Sequence, residues 1–188
     1  MISIRRSLCV LALAFGFVAS ATADPVFKVT APANATLGST FAVDVFATDL
    51  ADLYAFQFDL LFDPALLQFL GATEGAFLAS GGETTFFDGG INNGLGAIEF
   101  VFDTIIGPGP GVSGSGALAH FNFLAIGSGT SLLSLANVLA LDTQFNLIDV
   151  GLEGGQVQVA ASSTVPEPGT LALLALGLAG LGFSRRRK

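Results

Sequence analysis

The sequence predicts an all-β sandwich of about nine strands, and three observations carry that expectation. The first is the run from Leu53 to Phe69, where Tyr54, Phe56, Phe58, Leu60 and Phe62 occupy every second position. Side chains alternate across a strand, so five large apolar groups share one face, opposite Ala55, Gln57, Asp59 and Leu61. A helix would scatter these aromatics around its circumference. The second is Asp63-Pro64, which stops the run: Pro64 cannot donate to a ladder, and the Asp63 carboxylate can accept the turn's free N–H groups. The third is composition. Twenty-four Gly, 18 Phe and 12% charged residues suit short apolar strands joined by tight turns.

The elements follow in order. Val26–Thr30 reads as the first strand, and Ala31–Ser39, with Pro32, Asn34 and Gly38, as a turn. Phe41, Val43, Val45 and Ala47 alternate with smaller or polar residues in a second strand; Phe46 falls on its outer face, where a loop or sheet edge must cover it. The third and fourth strands flank Asp63-Pro64, with Leu67 and Phe69 pointing back to the core. Ala72–Gly82 reads as a loop or short helical turn. Thr84–Phe87, Ala97–Asp103, Ala117–Ile126, Thr130–Ala140 and Gln156–Ala160 complete the set, separated by Gly, Asn and Pro. Residues 24–160 thus form one domain, large enough for a real core. No internal repeat is visible.

Charge separates this body from the chain ends. Six of the seven basic residues are Arg5, Arg6, Arg185, Arg186, Arg187 and Lys188. Between Asp24 and Pro168 stand 15 acids and only Lys28, a net of 1 − 15 = −14. Such a body repels phosphate backbones, which excludes nucleic acid as a partner. Residues 1–23 read as a secretory signal: Arg5 and Arg6 open it, Leu8 to Val18 form a short apolar segment, and Ala21-Thr22-Ala23 supplies the small residues of a cleavage site. Cleavage after Ala23 competes with cleavage after Ala21. The one Cys, Cys9, lies in this leader, so the exported domain has neither disulfide nor thiol chemistry.

Catalytic and metal motifs are weak. Gly109-x-Gly111-x-x-Gly114 spells a dinucleotide fingerprint but lacks a following helix and a βαβ frame. His120, the only His, has no second His or Cys for zinc and no spaced nucleophile; it reads as a sheet-surface residue. Asp88-Gly89-Gly90-Ile91-Asn92-Asn93 and Asp142-x-x-x-Asn146-x-x-Asp149 are oxygen-rich and could hold Ca²⁺, although neither has helix-loop-helix spacing, and turn chemistry explains both. No cofactor is expected. Asp44, Asp59, Glu99 and Asp103 read as solvating outer sheet faces. A glycosidase would need paired carboxylates and aromatic platforms, and with no Trp and one Tyr the platforms are missing.

Two resemblances add to this. Phe58-x-Leu60-x-Phe62-Asp63-Pro64-x-x-Leu67 resembles the signature turn of cohesin modules, relatives of the jelly-roll carbohydrate-binding folds. Gly38-x-x-Phe41-x-Val43 and Gly154-Gly155-Gln156-Val157-Gln158-Val159 occupy matching places at the two ends. The resemblance implies a jelly-roll-like sandwich that binds or scaffolds and is not an enzyme. It also implies a dockerin-like protein partner, a Ca²⁺-loop helical module docking on one face; binding of extracellular polysaccharide is the alternative, and a hydrolase the least favoured reading. At the other end, Pro166-Glu167-Pro168, an apolar span over residues 170–183 and the basic cluster Arg185-Arg186-Arg187-Lys188 resemble the PEP-CTERM sorting signal of exopolysaccharide-producing Gram-negative bacteria. That implies processing by an exosortase-type enzyme after transient anchoring in the inner membrane, with the basic end held inside. The span is shorter than the ~20 residues of an ordinary crossing, a gap that snorkelling arginines narrow. An unprocessed single-pass anchor is the competing reading of the tail.

Overall fold

A computed structural model describes residues 24–92 and 95–161. The expected signal with Ala21 and Ala23, and the tail with Pro166, Glu167, Pro168 and Arg185–Lys188, lie outside the described residues. Within them the chain is almost entirely strand: β1 (Val26–Thr30), β2 (Asn34–Thr36), β3 (Thr40–Leu61), β4 (Leu67–Glu74), α1 (Ala76–Ala79), β5 (Thr84–Asn92), β6 (Ala97–Ile105), β7 (Val112–Ala125), β8 (Gly129–Asp142), β9 (Gly151–Glu153) and β10 (Gly155–Ala160).

The 22-residue β3 merges the two strands expected over Phe41–Phe62 and organises both layers. Its N-terminal half pairs with β1 and β7, and β9 and β4 extend that sheet at its two edges. Its C-terminal half pairs with β6 and β8, flanked by β5 on one side and by β10 and β2 on the other. The hand-over falls at Asp49 and Asp52, whose φ angles are 54° and 58°. Their N–H groups donate to Ser115 Oγ (3.0 Å) and Ser113 Oγ (2.9 Å) at the start of β7. Two hydroxyls thus satisfy the backbone that the bend removes from the ladder.

The core lies between the layers. Phe27, Val43, Val45, Phe121 and Phe123 come from the first sheet, and Phe56, Phe58, Leu60, Ile98, Val101 and Leu133 from the second. Rings meet across the gap: Phe27 with Phe56 at 6.5 Å, Phe58 with Phe121 at 6.2 Å and Phe62 with Phe123 at 5.2 Å. Each buried ring contributes ~1.5–3 kcal/mol. The alternation of β3 is observed as expected: Phe56, Phe58, Leu60 and Phe62 are buried, and Tyr54 sits half-buried at the end of the row. At the turn, Asp63 Oδ1 accepts the Ala65 N–H (2.9 Å). Gly96 at φ +64° closes against it, where a Cβ would lie 2.2 Å from the Phe62 carbonyl oxygen.

Several expectations need correction. The turn over Ala31–Ser39 contains β2, paired in parallel with β10, and β9 pairs in parallel with β1. Thr84–Phe87 runs on to Asn92, so Asp88-Gly89-Gly90 belongs to a strand and not to a loop. Phe46 is not covered; it remains 37% exposed, in register with Lys28 of β1. Asp59 and Asp103 do not solvate outer faces: both are buried, Asp103 completely. Asp59 keeps its outward side but is covered by the bulges it holds on both neighbouring strands, whereas Asp103 points inward for a reason that lies in β6. Phe58 and Leu60 of β3 face Val101 and Ile98, so β6 carries one extra residue there, a bulge at Glu99–Phe100 with Phe100 at φ 62°. An extra residue shifts the two-residue period by one, and Val101, Asp103 and Ile105 turn inward together.

Candidate functional site

The outer face of the second sheet is the surface with the most unusual chemistry. Gln57 is in register with Leu139 on β8 and Phe102 on β6, and Phe102 with Phe87 on β5. One row of outward side chains therefore crosses four strands as Leu139, Gln57, Phe102 and Phe87. Phe100 joins it from the β6 bulge, stacked on Phe102 at 6.0 Å and 6.3 Å from Phe87. Phe87 is 47% and Phe100 51% exposed, and Leu61 and Leu139 are exposed beside them. The grouping sets this face apart, since apolar residues exposed singly are ordinary on a protein surface.

Asp59 shapes this face. Both neighbouring strands bulge around it: β6 at Phe100 and β8 at Asn137, the latter at φ 49°. The Asp59 carboxylate holds both bulges, Oδ1 accepting the Phe100 N–H (2.7 Å) and Oδ2 the Asn137 Nδ2–H (2.6 Å). Donation to a carboxylate makes both bonds stronger than neutral ones. The carboxylate thereby fixes the backbone that presents Phe100 outward. Sequence reasoning saw Asp59 as a solvating residue; a lone acid among core-strand aromatics was the available signal.

The other candidates resolve into structural roles. Asp142 Oδ1 accepts the Gln144 and Asn146 N–H groups (both 2.8 Å) and Oδ2 the Asn146 amide (3.0 Å), which, with the Asn146 bonds leading, holds its carboxyl below the usual range. These oxygens make a turn. Among the described residues no three His, Cys, Asp or Glu side chains converge as a metal site. Gly111 of the glycine-rich segment donates its N–H to Asp52 Oδ1 (3.2 Å), and Gly114 pairs with Leu50, so this run serves the bend of β3. His120, read as lacking a partner, has one: its Nδ1 lies 2.7 Å from Asp44 Oδ1, directly across the β3–β7 ladder. Glu99 is exposed, as expected. Among the described residues no helix is long and apolar enough to cross a membrane.

Layers and bend together define a two-sheet β-sandwich built around one long shared strand. The comparisons name it more closely: the chain belongs to the cohesin domain family, whose model matches residues 25–159. The PEP-CTERM protein-sorting motif matches residues 164–188, which makes the domain an exported module carrying a C-terminal sorting tail. No curated protein matches the chain. Among solved structures, it is similar to a non-cellulosomal cohesin from Archaeoglobus fulgidus, with a TM-score of 0.56, 17% identity, and coverage of 73% of this chain and 92% of that one. A cohesin module from a Clostridium perfringens family 33 glycoside hydrolase gives 0.58 and 13% identity, covering 73% and 98%. The OlpC cohesin of a type I cohesin–dockerin complex from Clostridium thermocellum gives 0.59 and 16%, covering 75% and 97%. These likenesses establish the fold.

Proposed function

We propose that this chain is an exported, non-catalytic cohesin module that captures a dockerin-type protein partner on the outer face of β5, β6, β3 and β8, and that an exosortase-type enzyme processes its tail at Pro166-Glu167-Pro168. The single observation that carries the docking is the row Leu139, Gln57, Phe102 and Phe87, completed by Phe100 on a bulge tied down by Asp59. Flat apolar sheet supplies the desolvated centre of a protein interface. The partner's charge follows from the body: its one Lys, Lys28, lies on the opposite sheet in an ion pair with Glu153 (2.8 Å). A basic helical module is the electrostatic complement.

The tail reading rests on the sorting motif and on the order of its three elements. The apolar span of residues 170–183 anchors the chain transiently in the inner membrane with Arg185, Arg186, Arg187 and Lys188 inside, and cleavage releases the acidic body to the cell surface or matrix. Polysaccharide binding is the weaker reading: the exposed rings are Phe, with no Trp and a single Tyr to pair stacking with a polar handle, and the Tyr54 hydroxyl is engaged by donating to the Gly107 carbonyl (2.8 Å). Binding of the body, residues 24–161, to a panel of Ca²⁺-loaded dockerin modules and to a glycan array separates the two. Saturable binding to a dockerin supports the proposal; glycan binding with no dockerin response replaces it.

A further inference from the structure

Among the described residues one carboxyl group is completely buried, and a half-buried one stands beside it with no cation at hand. Asp103 on β6 is completely buried, and neither of its oxygens has a hydrogen-bond partner. The acid beside it is Glu74, at the end of β4 on the other sheet, whose Oε1 accepts the hydroxyl of Thr84 at the start of β5. Three strands and both sheets therefore meet through this polar cluster, at the edge where α1 connects β4 to β5. The elements packed around Asp103 bring nothing to neutralise it. In register opposite it β3 supplies Phe56 and β5 supplies Phe86. The short α1 carries no charged residue, and β7 places Ala119 opposite Glu74. The other acids of β5 and its approach, Asp88 and Glu83, are exposed to water. His120 is engaged by Asp44, and Lys28 by Glu153.

A buried carboxylate without a partner is too costly to persist, so a proton or a metal ion must come from solution. Counting ligands decides between them. Ca²⁺ takes 6–8 oxygens; two carboxylates and one hydroxyl fall short, and no third acid, His or Cys joins them among the described residues. We propose that Asp103 and Glu74 share one proton across the two sheets, so that acid closes the β4–α1–β5 edge of the sandwich and alkali loosens it.

Burial, followed by the neighbouring Glu74 charge, pushes the Asp103 carboxyl from 3.8 up to about 7. The folded state thus keeps a proton that the unfolded chain releases. Its contribution to stability is complete below about pH 4, declines as the pH rises towards 7 and is flat above that; within the window one linked proton lowers the folding constant by up to tenfold per pH unit. The inference is independent of what the outer face binds.

Thermal melts of residues 24–161 from pH 4.5 to pH 8.5 test it. That segment holds the whole described core, and solved cohesins of this extent stand as complete chains. Asp103→Asn mimics the protonated acid. Its melting temperature should lie closest to the wild type at the acid end of that range, exceed it by a margin that grows until about pH 7, and lack the wild-type slope between. Should this variant fail to fold, a ¹³C NMR titration of the wild-type Asp103 carboxyl carbon reads the proton directly, with a midpoint near 7, and Glu74→Gln, which removes the neighbouring charge, should lower that midpoint. Parallel pH curves for wild type and Asp103→Asn, a carboxyl titrating near 4, or a midpoint that Glu74→Gln leaves unmoved overturn the shared proton. So does millimolar Ca²⁺ restoring the wild type at pH 8 while leaving Asp103→Asn unmoved, which would put a metal ion in its place.

Discussion

Replacing Asp59 by Ala should unpin both bulges of the outer face. The carboxylate accepts the Phe100 N–H at 2.7 Å and the Asn137 amide at 2.6 Å while only 9% exposed. Hydrogen bonds to a charged group contribute ~1.5–3 kcal/mol each, and a buried donor left unpaired costs a similar amount. Asn137 is exposed and can turn to water, so its share lies at the low end, and the part-buried Phe100 N–H carries most of the loss. The sum is ~3–4 kcal/mol. For a domain of this size that lowers the melting temperature by about 10–15 °C. Asp59→Asn keeps one good acceptor and should lose about half as much. Calorimetry of residues 24–161 and urea unfolding measure both variants. A loss below about 1 kcal/mol for Asp59→Ala would refute the claim that this carboxylate holds the face in shape.

Other outcomes follow from the same structure. Phe58→Ala should cost ~3–5 kcal/mol, because the ring is fully buried between Phe56 and Phe121 and its loss leaves a cavity; a neutral result by urea unfolding would contradict the core described. His120→Ala should change stability by less than ~1 kcal/mol and leave partner binding intact, since the pair with Asp44 is about 40% exposed and screened by water. Hydrolysis of an ester or polysaccharide by the domain, abolished in that variant, would show catalysis instead. In a host with an exosortase, intact mass spectrometry should find the mature chain ending near residue 168, and Ala in place of Pro166, Glu167 and Pro168 should leave it membrane-bound at full length. Wild-type protein that keeps Arg185–Lys188 in such a host would leave a plain anchor as the explanation.

Much of the layer structure is written in simple periods. The alternation of Tyr54 to Phe62 places β3, and Asp63-Pro64 places the turn, because both depend on neighbours in sequence. β2 and β9 were not legible: Asn34-Ala35-Thr36 and Gly151-Leu152-Glu153 carry no apolar alternation and become strands through parallel partners over 100 residues away. The buried Asp103 was illegible for a different reason. Its inward direction depends on one extra residue at Glu99–Phe100, and nothing in that dipeptide announces a positive φ, which Gly would have done. The same bulge turns Phe100 outward, so the open aromatic face was hidden with it. The Asp44–His120 pair needed the β3–β7 register, which alternation alone does not supply.

The central claim is that the outer face of β5, β6, β3 and β8 receives the partner. Titration calorimetry of a bound dockerin module against three variants of residues 24–161 tests it directly: Phe87→Asp and Phe100→Asp on that face, and Phe46→Asp on the opposite sheet as a control of similar exposure. Central aromatic anchors of an interface are worth ≥ ~2 kcal/mol. Each face variant should therefore weaken Kd by at least about thirtyfold while its melting temperature stays within a few degrees of wild type, and Phe46→Asp should bind as wild type does. Full affinity in both face variants, with binding lost in Phe46→Asp, would place the partner on the other sheet and contradict the account.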